Sequence, residues 1–411
     1  MTSEFFSENR KKLMERLEEG SAVLLYSGVA PVKSHDQDMC PFSVERNFYY
    51  MTGIDTQNVW LLMIKTAART IETLFIDEPD EYTIKWNGRM LTREEATARS
   101  GIKSVCYMQD FESRLASIPG YRATDVYFAF GRLSMNAAPT RSEELARSLR
   151  EKFPMLQIKN ICWTIASLRS VKTPEEIDCI RKAGDVTIEA LKHMLKSARP
   201  GEYEYQWAAD YEHCVARSGL RHGFETIAAA GENAVMLHYS DNNCIARDGD
   251  LLLVDLGAEY RYYSADVSRT FPINGKFTDR QKELFTIVRE AMDLAREKMR
   301  PGVEMKESNR AVIEFYKKAL RTAKLITDDS DVSKYYYHGV SHSLGLDTHD
   351  PCDRTVYEPG MVITCEPGLY VAEEGVGIRL ENDILVTEGA AEDLVGNRLL
   401  DVAEIEELMA R

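Results

Sequence analysis

The stretch Leu251-Leu-Leu-Val-Asp-Leu-Gly257 places an acidic residue, Asp255, in an apolar run that is typical of a β-strand. The chain returns through Tyr263-Ser-Ala-Asp-Val-Ser-Arg269, which carries a second acid, Asp266. A carboxylate in an apolar strand is costly to bury unless a cation neutralises it. Because a hairpin can bring both side chains together across its strands, this stretch predicts one half of a metal site.

The same pattern occurs again nearer the C-terminus. Met361-Val-Ile-Thr-Cys-Glu366 predicts one strand, and Gly377-Ile-Arg-Leu-Glu-Asn-Asp383 predicts its returning partner, so that Glu366 and Glu381 repeat the acidic pair. Glu373-Glu-Gly-Val-Gly377 supplies the longer loop between them. Two hairpins with two carboxylates each predict a site for more than one cation.

His342 lies between the two hairpins in the sequence and completes the predicted ligand set. Four carboxylates balance two divalent cations, and carboxylate-rich coordination with a single imidazole favours Mn²⁺ over zinc. Two such ions can bridge a hydroxide, which provides a nucleophile at neutral pH. The leading hypothesis is a hydrolytic metalloenzyme with the metal ligands Asp255, Asp266, His342, Glu366 and Glu381.

A chain of 411 residues exceeds the usual size of one hydrophobic core, so we expect two domains. Thr173-Pro-Glu-Glu176 has the threonine, proline and glutamate of a helix start, which marks the boundary. We expect a small α/β domain in residues 1–165 and the catalytic domain in residues 172–411. Strands of the first domain are predicted at 22–26, 59–64, 73–76 and 126–130.

The catalytic domain is predicted to be internally duplicated. One long helix starts at Thr173 and stops at Arg199-Pro-Gly201, and another starts at Thr278 and stops at Arg300-Pro-Gly302, 101 residues further on. In each half a second helical stretch and one acidic hairpin follow. A chance match of the tripeptide is the alternative, but the repeated order of elements favours a pseudo-two-fold domain.

Composition limits the partners and the location. The net charge of −15 argues against a nucleic-acid partner, which needs a basic surface. The first residues lack the apolar segment of a signal peptide, and no segment is long enough to span a bilayer. The eight cysteines show no Cys-x-x-Cys spacing. We therefore expect reduced, mostly buried thiols in a cytoplasmic protein with no membrane partner.

Five sequence blocks resemble those of aminopeptidase P and prolidase, which are Xaa-Pro peptidases of the pita-bread fold. The blocks are Leu253-Val-Asp-Leu-Gly257, Ala265-Asp-Val-Ser-Arg-Thr270, His338-Gly-Val-Ser-His-Ser-Leu-Gly345, Cys365-Glu-Pro-Gly-Leu-Tyr370 and Gly377-Ile-Arg-Leu-Glu-Asn382, with Arg46-Asn-Phe-Tyr-Tyr-Met-Thr-Gly53 near the N-terminus. The resemblance covers essentially the whole chain. It implies an α/β (α+β) protein, with a small N-terminal α/β domain before a pita-bread catalytic domain that holds two Mn²⁺ ions.

The resemblance also implies roles for individual residues. Asp255 would hold one ion and His342 the other, while Asp266 and Glu381 would bridge them. Glu366 would bind a metal and assist proton transfer from the bridging water.

Further residues fall where the family keeps its catalytic groups. The resemblance gives His238 and His349 substrate-facing roles, in which imidazoles donate to an oxyanion and a leaving nitrogen. His338 is a third catalytic candidate, with core packing as the alternative. Arg379 lies two residues before Glu381, so both should face one side of the strand. Its guanidinium could steady a ligand carboxylate, and Tyr370, which is also a predicted substrate-binding residue, could join it.

Trp86 resembles a tryptophan that reaches a neighbouring subunit's active site in aminopeptidases P, and its alternative is a packed core aromatic. This resemblance implies a substrate-binding role and a homo-oligomer, either a dimer or a tetramer. The remaining histidines fit no motif and are expected to be structural or exposed: His35, His193, His213 and His222.

The predicted function is hydrolysis of the bond between an N-terminal residue and a following proline in small peptides, by attack of a metal-bridging hydroxide. Gly231-Glu-Asn-Ala-Val-Met-Leu-His-Tyr239 resembles the aminopeptidase P version of its block more than that of prolidase. A strict Xaa-Pro dipeptidase is the nearest alternative. Methionine aminopeptidases usually lack an N-terminal domain, and creatinase-like hydrolases and non-enzymatic relatives lack the ligands.

Overall fold

The computed structural model describes residues 1–34, 40–131 and 134–410, and the chain divides into two compact units, Met1–Leu168 and Arg169–Arg411. Each unit has its own hydrophobic core and its own β-sheets. Within the described ranges, no helix is long and apolar enough to cross a membrane.

The first unit is a mixed α/β domain built on one six-stranded sheet, with strand order β4-β3-β2-β1-β5-β6. Its strands are β1 (Ser21–Tyr26), β2 (Trp60–Lys65), β3 (Thr70–Ile76), β4 (Val105–Tyr107), β5 (Asp125–Phe128) and β6 (Gln157–Asn160). Its helices are α1 (Ser3–Glu15), α2 (Arg46–Thr52), α3 (Glu81–Asn87), α4 (Arg93–Ser100), α5 (Phe111–Ala116), α6 (Arg141–Lys152) and α7 (Cys162–Arg169). The four strands predicted from the sequence all occur, although the last ends at Phe128.

This sheet forms because its central strands are apolar on both faces and are covered by helices. Neighbours β1 and β2 are antiparallel, whereas β5 runs parallel to β1 and β6 runs parallel to β5. Aromatic side chains from three strands and a helix, Trp60, Phe75, Phe111 and Phe128, fill the core on one face. Burial of such side chains contributes about 2 kcal/mol each.

The second unit contains two pairs of long helices followed by β-hairpins. Its helices are α8 (Pro174–Ser197), α9 (Glu204–Arg217), α10 (Asp279–Lys298), α11 (Lys306–Thr322), α12 (Val332–Tyr335) and α13 (Val402–Met409). Helix α8 packs against α9, and α10 packs against α11. Thr278 and Gln281 form the predicted capping box at α10. At α8 only half of the predicted box forms: the Glu176 carboxylate accepts from the Thr173 amide at 2.7 Å, whereas the buried Thr173 hydroxyl has no partner among the described residues.

Short strands carry the rest of the second unit. They are β7 (Arg221–His222), β8 (Ile227–Ala230), β9 (Leu251–Leu256), β10 (Ala258–Tyr260), β11 (Tyr263–Ser264), β12 (Val267–Pro272), β13 (Val362–Cys365), β14 (Gly368–Val371), β15 (Val376–Arg379), β16 (Asn382–Leu385) and β17 (Glu392–Asp393). They form sheets of order β11-β10-β7, β12-β9-β8, β13-β16-β17 and β14-β15.

The two halves of this unit repeat each other in detail. Gly201 and Gly302, which follow the long helices, have φ angles of 89° and 82°. The Gly201 amide donates to Ala246, and the Gly302 amide donates to Tyr357, an acceptor 111 residues further on. The internal duplication inferred from the Arg-Pro-Gly turns is therefore visible in the backbone hydrogen bonds.

Each acidic hairpin is interrupted rather than continuous. In the first, β9 pairs with β12 and β10 with β11; in the second, β13 pairs with β16 and β14 with β15. At the interruptions, a Cβ on Gly257 would lie 1.9 Å from the Ala265 carbonyl oxygen, and one on Gly368 would lie 2.4 Å from the Tyr370 hydroxyl. At Gly257 the neighbour is backbone, so only glycine fits there; at Gly368 a side chain would require the buried Tyr370 ring to move.

Two details differ from the sequence prediction. The residue opposite Asp255 is Ser268, and Asp266 lies two positions earlier, because the interruption shifts the returning strand. All eight cysteines are free, but only Cys179 and Cys365 are buried, so the expectation of mostly buried thiols was wrong. Of the others only Cys244 is exposed; the rest are partly buried, and Cys106, Cys214 and Cys352 pack against the edges of the cores.

Candidate metal centre

The two acidic hairpins meet around a cavity of about 300 Å³ in the second unit. All five predicted metal ligands line it, together with four of the predicted catalytic residues. The lining is Leu237, His238, Asp255, Asp266, His338, Gly339, Ser341, His342, His349, Glu366, Arg379 and Glu381. Residues separated by more than a hundred positions therefore share one acidic cavity.

The tightest group in the cavity consists of Asp266, His342 and Glu381, whose potential ligand atoms all lie within 4.8 Å of one another. The His342 Nε2 atom lies 3.4 Å from Asp266 Oδ2 and 3.5 Å from Glu366 Oε1. Its Nδ1 atom lies 3.1 Å from the Ser343 carbonyl oxygen. An N–H donated there leaves the Nε2 lone pair facing the carboxylates, which is the usual arrangement of a metal-binding histidine.

Asp255 occupies the other side of the cavity, where its Oδ2 atom accepts a hydrogen bond of 2.6 Å from Arg379. Its Oδ1 atom is buried and has no hydrogen-bond partner among the described residues. A buried carboxylate oxygen is normally satisfied by a donor or a cation. Because Asp255 lines a cavity of acids, a bound cation fits this orphaned oxygen.

The hairpins orient each other's acids. The Asp266 amide donates to the Asp383 carboxylate at 3.2 and 3.3 Å, and the Glu381 amide donates to the Ser268 carbonyl oxygen at 3.1 Å. The Ser268 hydroxyl also donates to Glu381 Oε2 at 2.7 Å. The two central acids are therefore fixed by the opposite half of the duplicated unit.

The charges of the cavity favour a cationic guest. Burial, together with the neighbouring acids, holds the pKa of Asp266 and of Glu381 well above the usual range. Burial also raises the pKa of Glu366 to about 7. For His342, burial and the nearby His349 lower the pKa to about 4. The imidazole is thus neutral at neutral pH, which is the form that ligates metals.

His338, Tyr370 and Arg379 form a chain of contacts along one wall. The Tyr370 hydroxyl lies 2.9 Å from His338 Nε2 and 3.1 Å from Arg379 Nη1. Arg379 also donates to the Ser268 hydroxyl at 2.8 Å. Burial lowers the pKa of His338 to about 4. The Arg379 guanidinium therefore links the second hairpin to the first, and Tyr370 extends this link to His338.

The other two predicted catalytic histidines are exposed at the rim of the cavity. The rings of His349 and His342 are 4.1 Å apart between centroids. His238 lines the cavity next to Leu237, in the loop that follows the turn Gly231–Val235. Both histidines could reach a substrate that enters from solvent.

Trp86 lies on α3 of the first unit, where its side chain is 68% exposed and its ring centroid is 6.0 Å from that of Tyr82. It is therefore not the packed core aromatic that the sequence left as an alternative, and it is not among the residues that line the cavity. His222 is exposed on β7, and His35 lies outside the described residues.

Several residues of the site were missed by the sequence prediction. Ser268, Thr364 and Asp383 hydrogen-bond to the acids or to their backbone, and Ser341 lines the cavity. Asp383 carried a detectable signal in the sequence, because it is a further carboxylate in an apolar strand. The structure shows that it is fully buried. Ser268 and Thr364 resemble any strand serine or threonine, and Ser341 resembles any loop serine, so these three carried no signal.

A duplicated α/β unit whose hairpins surround a histidine with buried acids defines a metal-dependent hydrolase. The model of metallopeptidase family M24 matches residues 178–388, and that of the aminopeptidase P N-terminal domain matches residues 6–127. The chain belongs to metallopeptidase family M24 and is a metallopeptidase, as the five sequence blocks predicted. The pita-bread fold of the second unit is confirmed with it.

Similar proteins extend over the whole chain. An Xaa-Pro aminopeptidase of Escherichia coli strain K12 is 33% identical over 98% of this chain and 97% of its own. A Bacillus anthracis structure assigned to aminopeptidase P matches with a TM-score of 0.97 and 42% identity, covering 100% and 98% of the two chains. Zn-substituted aminopeptidase P from Escherichia coli, in complex with product, matches with a TM-score of 0.91 and 31% identity, covering 100% and 98%.

Proposed function

We propose that this metallopeptidase is an Xaa-Pro aminopeptidase, which removes an N-terminal residue that precedes proline. One observation carries the proposal: four acids from two hairpins, two of them buried, line one cavity with the neutral His342. The chain that holds this site matches an Xaa-Pro aminopeptidase along 98% of its length. A strict Xaa-Pro dipeptidase remains the alternative.

The proposed cofactor is a pair of divalent ions, with Mn²⁺ as the metal because the donors are mostly carboxylate oxygens. Asp255 would hold one ion and His342 the other, Asp266 and Glu381 would be shared, and Glu366 would be a further ligand. When bound, the ions supply the positive charge that lowers the pKa of water and polarises a peptide carbonyl.

Glu366 is proposed to carry a proton between the attacking water and the leaving nitrogen. Its Oε1 atom accepts a 3.3 Å hydrogen bond from Thr364, while its Oε2 atom lies 3.7 Å from His338 Nδ1. The carboxylate is therefore oriented by a hydroxyl on one side and reaches into the cavity on the other. General acid–base transfer by a positioned carboxyl typically contributes 10²–10⁴-fold.

The exposed histidines are proposed to act on the substrate itself. An N–H from His349 or His238 at the rim would stabilise the oxyanion or the leaving nitrogen, and a fixed donor of this kind contributes about 10²-fold or more. Arg379 and Tyr370 would hold Asp255 and His338 in place through the contacts described above. Proline suits such a site because its nitrogen has no N–H, so recognition cannot use a strand-like hydrogen bond there.

The organisation of the protein completes the proposal. Residues 1–165 are proposed as the N-terminal domain and residues 172–411 as the catalytic domain. The exposed Trp86 supports a substrate contact within a homodimer or homotetramer. Eight free thiols favour a reducing compartment and so a cytoplasmic location.

A peptide panel tests the proposal. Protein loaded with Mn²⁺ should cleave Xaa-Pro-Yaa tripeptides at the Xaa-Pro bond and leave matched Xaa-Ala-Yaa tripeptides largely intact. Cleavage of Xaa-Pro dipeptides alone would establish the dipeptidase instead. If neither proline substrate is cleaved while metal is bound, the proline specificity is wrong.

A further inference from the structure

A buried cluster of charges lies beside the candidate metal centre and is not part of it. The Asp350 cluster consists of Arg169, Lys172 and Asp350, whose side chains are 2%, 1% and 1% exposed. Arg169 and Lys172 precede α8, whereas Asp350 directly follows His349. The cluster therefore connects the first residues of the second unit to the segment that carries the exposed histidine.

Each oxygen of the Asp350 carboxylate is paired with one cation of the cluster. The Arg169 Nη2 atom lies 2.5 Å from Asp350 Oδ1, and the Lys172 Nζ atom lies 3.3 Å from Asp350 Oδ2. Arg169 also reaches Asp347 Oδ2 at 2.6 Å, and Lys172 reaches the Ser343 hydroxyl at 3.3 Å. Burial alone would raise the pKa of Asp350, but the two cations hold it below the usual range.

The same carboxylate fixes the backbone between His342 and His349. Its Oδ1 atom accepts a 3.2 Å hydrogen bond from the Asp347 amide, and the Asp350 amide donates to the Ser343 carbonyl oxygen at 2.9 Å. A Cβ on Gly345 would lie 2.7 Å from Asp350 Oδ2. The segment is thus wrapped closely around one ion pair, with a histidine at each end.

Stability alone does not explain such a cluster. Buried ion pairs are often no more stabilising than apolar residues of similar volume, while removal of one partner is strongly destabilising. Their best-supported use is to specify one arrangement among several. The arrangement specified here is that of His349, whose ring is exposed and whose centroid is 4.1 Å from that of His342.

We propose that Asp350, held by Arg169 and Lys172, is a positioning residue that fixes His349 over His342 at the rim of the cavity. It acts through His349 and does not touch substrate. The catalytic meaning of this placement rests on the proposed function, but the placement itself does not. A test therefore needs one structural measurement and one kinetic measurement.

The structural measurement is NMR of the histidine ring signals in the zinc-loaded, diamagnetic protein, with the His349 signal identified by its loss in His349→Ala. Asp350→Asn should shift the His349 signal and leave that of His238 unchanged. Asp353→Asn, a partly exposed aspartate three residues further on, is the matched control and should shift neither. An unshifted His349 signal in a folded Asp350→Asn protein would overturn the proposal, whatever the substrate proves to be.

The kinetic measurement is a double-mutant cycle with Mn²⁺-loaded protein on an Xaa-Pro-Yaa peptide. Asp350→Asn should lower kcat about 10–100-fold, as loss of an orienting partner does, with KM changed less than about threefold and metal content unchanged. Combined with His349→Ala, it should add no further loss. Multiplication of the two losses would show that Asp350 acts elsewhere.

A second variant covers the case in which Asp350→Asn does not fold. Lys172→Met keeps the Arg169 ion pair and the buried chain length, so it should fold and give the same His349 shift with a smaller loss of kcat. No shift in folded Lys172→Met would also overturn the proposal. If the wild-type protein cleaves no Xaa-Pro peptide but the shifts occur, the proposed function fails and the positioning inference stands.

Discussion

The two acidic hairpins share a plan and differ in how their acids are held. Both are interrupted at glycines 111 residues apart, Gly257 and Gly368, and both place acids at the interruption. In the first, Asp255 is clamped by Arg379 at 2.6 Å; in the second, Glu366 contacts a hydroxyl and two histidines instead. Duplication thus explains the positions of the acids, whereas their chemistry comes from residues present in one half only.

Substitution of Asp266, which the second hairpin holds through Asp383, should give the largest loss of turnover. Asp266→Ala removes an acid that both halves position, so turnover should fall about 10³-fold or more, equivalent to roughly 4 kcal/mol of transition-state stabilisation. The protein should stay folded, because the lost group is a buried charge whose burial is costly without a cation. Steady-state kinetics and circular dichroism measure the two quantities.

The control for this substitution is Glu388→Ala, an exposed acid beyond β16, which should keep wild-type turnover. Retained turnover in Asp266→Ala would refute its role as a shared ligand. It would also show that one hairpin suffices for catalysis.

Metal removal tests whether both hairpins depend on one cationic guest. An ion at 100 times its Kd stabilises the folded state by about 2.7 kcal/mol, so chelation should lower the Tm of the second unit by roughly 5–10 °C. Trp207, which is fully buried in α9, reports unfolding of this unit when the three tryptophans of the first unit are replaced by phenylalanine. In Asp266→Ala the shift should largely disappear.

Two hydroxyls, one in each hairpin, contact the acids and can be compared directly. The Ser268 hydroxyl bonds Glu381 at 2.7 Å and Arg379 at 2.8 Å, whereas that of Thr364 bonds the His342 amide at 3.0 Å and Glu366 at 3.3 Å. Because the bonds of Ser268 are shorter and one of them comes from the Arg379 guanidinium, Ser268→Ala should lower kcat about tenfold and Thr364→Val only about threefold. A larger loss in Thr364→Val would reverse the assignment of the more strongly held hairpin.

The sequence indicated the acids that line the cavity better than the residues that support them, for a physical reason. A carboxylate such as Asp255 in an apolar strand is conspicuous in a single segment, and so is the capping box at Thr173. The contact between the Asp266 amide and Asp383 depends on how two distant hairpins face each other, and nothing within either segment specifies that. Lys172 was missed for the same reason, since its partner Asp350 lies 178 positions away.

The register of the hairpins also could not be predicted from either segment alone. Spacing alone placed Asp255 opposite Asp266, but the close approach at Gly257 breaks the ladder and puts Ser268 opposite instead. A strand pattern of period two predicts which face a residue takes, and it does not predict where a ladder is interrupted.

Two glycines outside the site test whether the halves are equivalent in energy as well as in position. Gly201 and Gly302 have φ angles of 89° and 82°, and a Cβ at either would meet nothing within 4 Å. Alanine there costs only the strained backbone, about 1 kcal/mol, so Gly201→Ala and Gly302→Ala should lower the free energy of unfolding equally within about 0.5 kcal/mol and leave kcat unchanged. Urea unfolding measures both. Unequal losses would mean that the two turns contribute differently to the free energy of unfolding. The asymmetry seen among the acids of the metal centre would then also hold for the helices and turns that support it.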